Sequence, residues 1–352
     1  MVEYLSGNRI QGSSTLASSP PQTSWKELDR VTLGSTSTSF GTTFADKDNI
    51  MVLLSWSRES GASADPKLQL GDTSADTGSN YARRLSANGG TDSTNTSADY
   101  ISKWATGAGS DVMNFQQIQF PNIANQEKLG IEHSIFSGGT GAGTAPNRTE
   151  NVFKWANTSA QVGYIRYHAA SGTTFSAGSE IVVLGCDNDE ADSGTNFWQE
   201  LANVELTSTS DDIDSGTFTA KKYLWVQIKS NKTGSPEGKI QFNNDAGANY
   251  AERHEDNFGS DYTNTSRSWI DDYVMNGTGG GFLNMFIINE SSKEKLVIVE
   301  SQSNPSGNNA PFSYKGVFKW ANTSDQITSI KLFNTHSGDW TSGSSIKVWG
   351  SD

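Results

Sequence analysis

The chain has 352 residues and a formal net charge of −13. That length suits two domains of ordinary size, each able to bury its own core. The acidic balance and the lack of any basic block argue against nucleic acid, whose phosphates need clustered Lys and Arg. The same balance argues against anionic membrane surfaces, and no apolar run is long enough to span a bilayer.

Residues 1–23 read as an extended N-terminal arm, with Ser13-Ser14-Thr15 and Ser18-Ser19-Pro20-Pro21 keeping it polar and open. Its start has neither the basic nor the apolar stretch of a secretory signal. Tyr4, Leu5 and Ile10 are the apolar residues of this arm and the candidate anchors on a neighbouring subunit. The alternative is that the arm wraps its own first domain.

The first domain is placed at 24–187. Its expected strands are Leu28–Leu33, Ile50–Ser57, Lys67–Leu70, Val112–Phe120, Lys128–Phe136, Asn151–Trp155, Val162–Tyr167 and Glu180–Leu184. Ser86–Gly109 reads as a long loop. An acidic linker follows at 188–196. The second domain is placed at 197–352. Its expected strands are Leu201–Leu206, Tyr223–Lys229, Lys239–Phe242, Phe282–Asn289, Lys293–Glu300, Tyr314–Trp320, Ile327–Phe333 and Ser345–Trp349. These runs are short, rich in β-branched and aromatic residues, and punctuated by Gly, Asn, Asp or Pro. No sustained 3.6-residue apolar stripe occurs. The expected fold is all-β: two tandem antiparallel β-sandwiches of jelly-roll type.

The two halves repeat one another. Phe153-Lys154-Trp155-Ala156-Asn157-Thr158-Ser159 returns as Phe318-Lys319-Trp320-Ala321-Asn322-Thr323-Ser324. Trp25-Lys26-Glu27-Leu28 pairs with Trp198-Gln199-Glu200-Leu201, and Asn80-Tyr81-Ala82 with Asn249-Tyr250-Ala251. The spacing shrinks slowly along the chain, as loop deletions would make it, and its length marks an internal domain duplication rather than a solenoid. In the closing strands, Ile181 and Val183 answer Ile346 and Val348 on the core face. Val182 and Leu184 make the other face apolar in the first copy, where Lys347 and Trp349 leave it half polar in the second. The first closing strand is therefore expected to be covered on both faces.

Little in the chain has the pattern of a reactive site. Asp187, Asp189, Glu190 and Asp192 crowd the linker, but Ala191 stands where a calcium loop needs an oxygen ligand. Cys186 is the only cysteine, so no intrachain disulfide forms and no cysteine pair holds zinc; it reads as a small buried thiol. Gly138-Gly139-Thr140-Gly141-Ala142-Gly143 lacks the Gly-Lys-Ser/Thr ending of a phosphate loop and reads as a flexible surface loop. No G-x-S-x-G elbow occurs. The expectation is no enzyme and no cofactor. Among the tryptophans, Trp25/Trp198, Trp56/Trp225 and Trp155/Trp320 recur and read as core. Trp104, unmatched and on the long loop, is the candidate glycan contact.

Two patterns resemble a module of structural proteins of tailed viruses, particularly marine ones. One is Ile240-Gln241-Phe242-Asn243-Asn244-Asp245-Ala246-Gly247-Ala248-Asn249-Tyr250. The other is the closing Gly-Ser-x-Ile-x-Val-x-Gly, present in Ala177–Gly185 and Ser342–Gly350. The first copy carries a longer loop at the middle pattern, from Leu68 to Tyr81. The resemblance covers both repeats but not the arm. It implies a virion protein assembled in a host cytoplasm, in a head-decoration, tail or fibre role, with other virion proteins and further copies of itself as partners. It brings no catalytic residues. The alternatives are a carbohydrate-binding module that attaches to a host surface glycan, and a double jelly-roll major capsid protein.

Overall fold

The period-two runs become antiparallel strands throughout, and no helix occurs among the described residues. The structure, a computed structural model, describes residues 4–5, 8–9, 25–59, 66–102, 112–169, 174–187, 196–272, 279–304 and 310–352. The chain forms two compact units: Met1–Gly139 with Arg148–Phe197, and Thr140–Asn147 with Trp198–Asp352.

In the first unit, β1 (Tyr4–Leu5) pairs with β2 (Asn8–Arg9) as a small ladder within the arm. The body follows: β3 (Lys26–Thr32), β4 (Ser39–Thr43), β5 (Asn49–Ser57), β6 (Pro66–Gly71), β7 (Tyr81–Ala87), β8 (Ser93–Ala98), β9 (Met113–Pro121), β10 (Lys128–Phe136), β11 (Asn147–Trp155), β12 (Tyr164–Ala169) and β13 (Glu180–Cys186). Eight of these form one sheet in the order β3-β13-β5-β9-β10-β11-β7-β8, and three form a second in the order β4-β12-β6. Alternate residues of β5 (Ile50, Val52, Leu54, Trp56) meet Leu68 and Leu70 of β6 and Ile165 and Tyr167 of β12 in one buried core. This is the arrangement of a β-sandwich.

The second unit runs β14 (Gln199–Glu205), β15 (Asp212–Asp214), β16 (Tyr223–Ser230), β17 (Lys232–Gly234), β18 (Gly238–Phe242), β19 (Tyr250–Asp256), β20 (Tyr262–Arg267) and β21 (Ile270–Asp272). It continues with β22 (Gly281–Ile288), β23 (Lys295–Ser303), β24 (Phe312–Trp320), β25 (Ile330–Asn334), β26 (Gly338–Trp340) and β27 (Ser345–Ser351). Its large sheet has the order β14-β27-β16-β22-β23-β24-β19-β20, beside a four-stranded sheet β15-β25-β18-β21 and the pair β17-β26. Leu224, Val226 and Ile228 of β16 pack with Ile240, Phe242, Ile330 and Leu332 in its core.

The two large sheets agree strand for strand. Even the irregularities agree: the β3–β13 ladder skips Leu28, and the β14–β27 ladder skips Leu201. Such bulges set local twist and are retained as features of a fold. Strand β13 is buried along its whole length, as its two apolar faces require, whereas Lys347 and Trp349 of β27 stay partly exposed.

The sequence reading missed the hairpins β7–β8 and β19–β20, and read Ser93–Ala98 as part of a loop. Strands β8 and β20 are sheet edges made of Ser-Thr-Asn-Thr-Ser-Ala and Tyr-Thr-Asn-Thr-Ser-Arg. An edge with solvent on its outer side needs no apolar alternation, so the pattern that reveals inner strands is missing there.

Candidate functional site

The residues singled out in the sequence are not brought together. Tyr4 and Leu5 lie on β1. Ile10, Trp104 and linker residues 188–195 fall outside the described residues. Asp187, the first acidic residue of the linker region, closes its own unit: its carboxylate accepts the Lys47 ammonium at 2.7 Å and the Asp48 N–H at 3.1 Å. Asp352 does the same with Lys221 at 2.7 Å and Lys222 N–H at 3.2 Å. Among the described residues no group of three or more His, Cys, Asp or Glu could hold a metal ion. Cys186 is buried, and the recurring tryptophans are all core residues.

The repeated motifs are fasteners. Asp245 Oδ1 accepts the Gly247 N–H at 2.8 Å, while Oδ2 accepts Asn249 Nδ2 at 2.9 Å and Trp320 Nε1 at 2.7 Å. Asp76 takes Gly78 N–H, Asn80 Nδ2 and Trp155 Nε1 at 2.8, 2.8 and 2.9 Å. Partial burial works to raise both carboxyls, but these three donors hold each below the usual aspartate range. The hydroxyls of Tyr81 and Tyr250 accept the N–H of Leu70 and Phe242, at 3.1 and 3.0 Å. Buried Lys128 donates to the Gln126 and Asn157 carbonyls, and buried Lys295 to those of Lys293 and Asn322. Burial pushes the Lys295 ammonium down to about 8. Asn157 and Asn322 turn their Oδ1 onto Ser159 and Ser324 N–H, both at 2.7 Å. Thus the Phe-Lys-Trp-Ala-Asn-Thr-Ser motif pins one loop to the sheet edge in each unit.

The closing pattern has the same logic. Gly178 and Gly343 take φ of 86° and 83°, a conformation that disfavours any side chain. Ser179 and Ser344 follow, and their carbonyls accept Leu33 and Leu206 N–H at 2.9 and 2.8 Å.

One buried carboxyl is peculiar to the second unit. Glu252 on β19 accepts Asn264 Nδ2 and the Asp271 N–H, with His254, Arg267 and the Lys239–Asp271 ion pair nearby. Burial, aided by the Asp271 charge, pushes it from 4.5 up to about 7. The folded state therefore holds a proton that the unfolded chain releases. Its contribution is fully present below pH 4.5 and is lost as pH rises to 7, of order 3 kcal/mol in all. Glu252→Gln is expected to flatten the slope of unfolding free energy between pH 5 and 7. Denaturant titrations at pH 5, 6, 7 and 8 check this, and an unchanged slope contradicts it.

The units differ most on the outer face of their large sheets. In the first, Leu129, Ile131 and Val152 are 58, 52 and 51 % exposed. With Ala82, Arg84 and Lys154 they line an open groove of about 960 Å³. In the second, the corresponding Leu296, Ile298 and Val317 are 0, 5 and 3 % exposed. There the segment Thr140–Asn147 is held at three points: Gly141 N–H donates to Glu294, Ser266 N–H to the Ala142 carbonyl, and Arg253 Nε to the Pro146 carbonyl. Ala142, expected on a flexible loop, is instead buried.

No family model matches the chain, and no curated protein matches it. Among solved structures, human GIVD cytosolic phospholipase A2 aligns at 7 % identity with a TM-score of 0.13, over 87 % of this chain and 33 % of its own. The chain spans about a third of that protein's length, and a likeness of this size carries no argument about fold or activity.

Proposed function

We propose that the chain is a non-enzymatic structural protein of a virus particle, carried on the exterior as a head decoration or as part of a tail or fibre. One observation carries this reading. The polar side chains that recur in both units (Asp76/Asp245, Asn80/Asn249, Lys128/Lys295, Asn157/Asn322) all close on the protein's own backbone or on each other. Repetition here serves the scaffold, as a building part requires.

The matched strand order, the matched bulges and the matched fasteners support descent of the two units from one by tandem duplication. In each unit the chain passes back and forth between large and small sheets, as from β4 to β5 to β6 to β7, and this supports a jelly-roll type. The resemblance to structural modules of tailed viruses points the same way. The test is surface labelling of intact purified particles followed by mass spectrometry. Labelled peptides of this chain are expected; their absence from the particle contradicts the reading.

The arm belongs to the same proposal, as a contact to a neighbouring subunit. None of its residues enters either core cluster. Deleting residues 1–22 is therefore expected to leave thermal melting of both units unchanged while lowering incorporation into particles. A truncated chain that melts early shows that the arm belongs to the first unit; one that incorporates normally shows it to be dispensable.

A further inference from the structure

We propose that the bare face of the first unit receives a second copy of this chain, seated through its segment that ends Ala310-Pro311-Phe312. The inference rests on reading the two units as copies of one module.

The argument begins with the occupied face in the second unit. Its three anchor residues all have counterparts in the first. Glu294 precedes Lys295 as Glu127 precedes Lys128. Arg253 pairs with Asp261 at 3.6 Å, as Arg84 pairs with Asp92 at 3.2 Å. Ser266 lies in Thr263-Asn264-Thr265-Ser266, which repeats Thr94-Asn95-Thr96-Ser97 residue for residue, and both serines take a left-handed φ, 52° and 55°. The lysine beside the glutamate recurs too, as Lys319–Glu294 at 3.6 Å and Lys154–Glu127 at 3.1 Å. The apolar floor is conserved in kind: Leu296, Ile298 and Val317 against Leu129, Ile131 and Val152. The first unit thus carries a complete acceptor, and its floor is open to water. Three large apolar side chains bared together on one sheet face mark an interaction surface.

The occupant follows from the same correspondence. The segment held in the second unit joins β10 to β11 and ends Ala145-Pro146; Pro146 is buried and its carbonyl is taken by Arg253. The segment joining β23 to β24 ends Ala310-Pro311. Here Ala310, Pro311 and Phe312 are exposed. One molecule therefore presents an uncovered acceptor on its first unit and an exposed counterpart of the occupant on its second. The two surfaces are different, so joining them is heterologous, and successive copies form a closed ring or an open filament according to the rotation between them.

The test uses the full chain in solution, by sedimentation velocity across a concentration series. The wild type is expected to grow beyond dimers as concentration rises. An acceptor variant, Leu129→Glu with Ile131→Glu, and a donor variant, Ala310→Asp with Pro311→Asp, are each expected to associate at least roughly tenfold more weakly. All four positions are exposed, so melting temperatures confirm that the variants fold. Mixed in equal amounts, the two variants are expected to stop at dimers, because the mixture offers one intact pairing only. A wild type that remains monomeric at millimolar concentration overturns the proposal. So does either variant assembling like the wild type, or a mixture that yields no dimer. An acceptor variant that self-associates normally but no longer attaches to particles gives the face to another virion protein and also overturns it. Self-association is read on the purified chain, so its failure leaves the virion proposal standing, and absence from particles leaves this result standing.

Discussion

Trp320→Ala is expected to destabilise the second unit by about 3–5 kcal/mol, the range for deleting a large buried aromatic. The ring is fully buried, lies near Phe242 and Tyr250, and donates its Nε1 proton to Asp245. Removing it opens a cavity and leaves Asp245 with two donors where it had three. Asp245 in turn holds Gly247 and Asn249, so the turn before β19 loosens with the loss of the tryptophan. Trp320→Phe separates the two effects. It keeps most of the apolar contact and removes the donor, so its cost is expected near 1–3 kcal/mol. Trp155→Ala acts on the first unit in the same way, because Trp155 is equally buried and donates to Asp76. Denaturant unfolding of the three variants checks these figures. A loss under about 1 kcal/mol for either alanine variant contradicts the fastener described here.

Asn289→Ala is expected to cost about 3–6 kcal/mol, with 1–3 for each buried backbone group left without a partner. Asn289 is fully buried. Its Nδ2 donates to the Lys221 and Ile327 carbonyls at 2.9 and 3.2 Å, and its Oδ1 accepts the Ile327 N–H at 2.7 Å. One side chain thereby ties three chain segments together where no water enters. Asn122 occupies the equivalent place and bridges both backbone groups of Val162 at 3.0 and 2.7 Å. Asn289→Asp is the sharper variant. It keeps the shape but turns the amide donor into an acceptor facing two carbonyls, so it is expected to cost at least as much as alanine at pH 7. Equilibrium unfolding measures both. Near-wild-type stability for the aspartate variant contradicts the assignment of Nδ2 as the donor. Asn289 also begins an Asn-x-Ser sequon, and its burial keeps it from glycosylation in the folded chain.

The inner strands were legible in the sequence because burial on one face writes alternation into the chain. The recurrence of Trp155 and Trp320 was legible because an indole with a buried donor tolerates few substitutes. The polar partners were harder to find. Asp76 reads as one acid in a loose cluster with Asp72 until the fold brings Trp155 to it. Thr94-Asn95-Thr96-Ser97 and its repeat are as clear a match as any in the chain, yet low complexity hides them among many Ser, Thr and Asn. The contrast between Leu129 and Leu296 has no signature in sequence at all. Both belong to the same strand pattern, and only packing separates a bare face from an occupied one. Trp104 and Ile10, chosen as the unmatched aromatic and the arm's apolar anchor, lie outside the described residues, so the structure adds nothing to either.

The central claim is that this chain is an exterior structural part of a virus particle, built from two copies of one β-sandwich module. Cryo-electron microscopy of intact particles tests it most directly. The expected result is external density that fits two units, each with an eight-stranded sheet in the order described, in many copies per particle and with the first unit's Leu129–Ile131 face against another copy. Particles whose exterior contains no such density contradict the account.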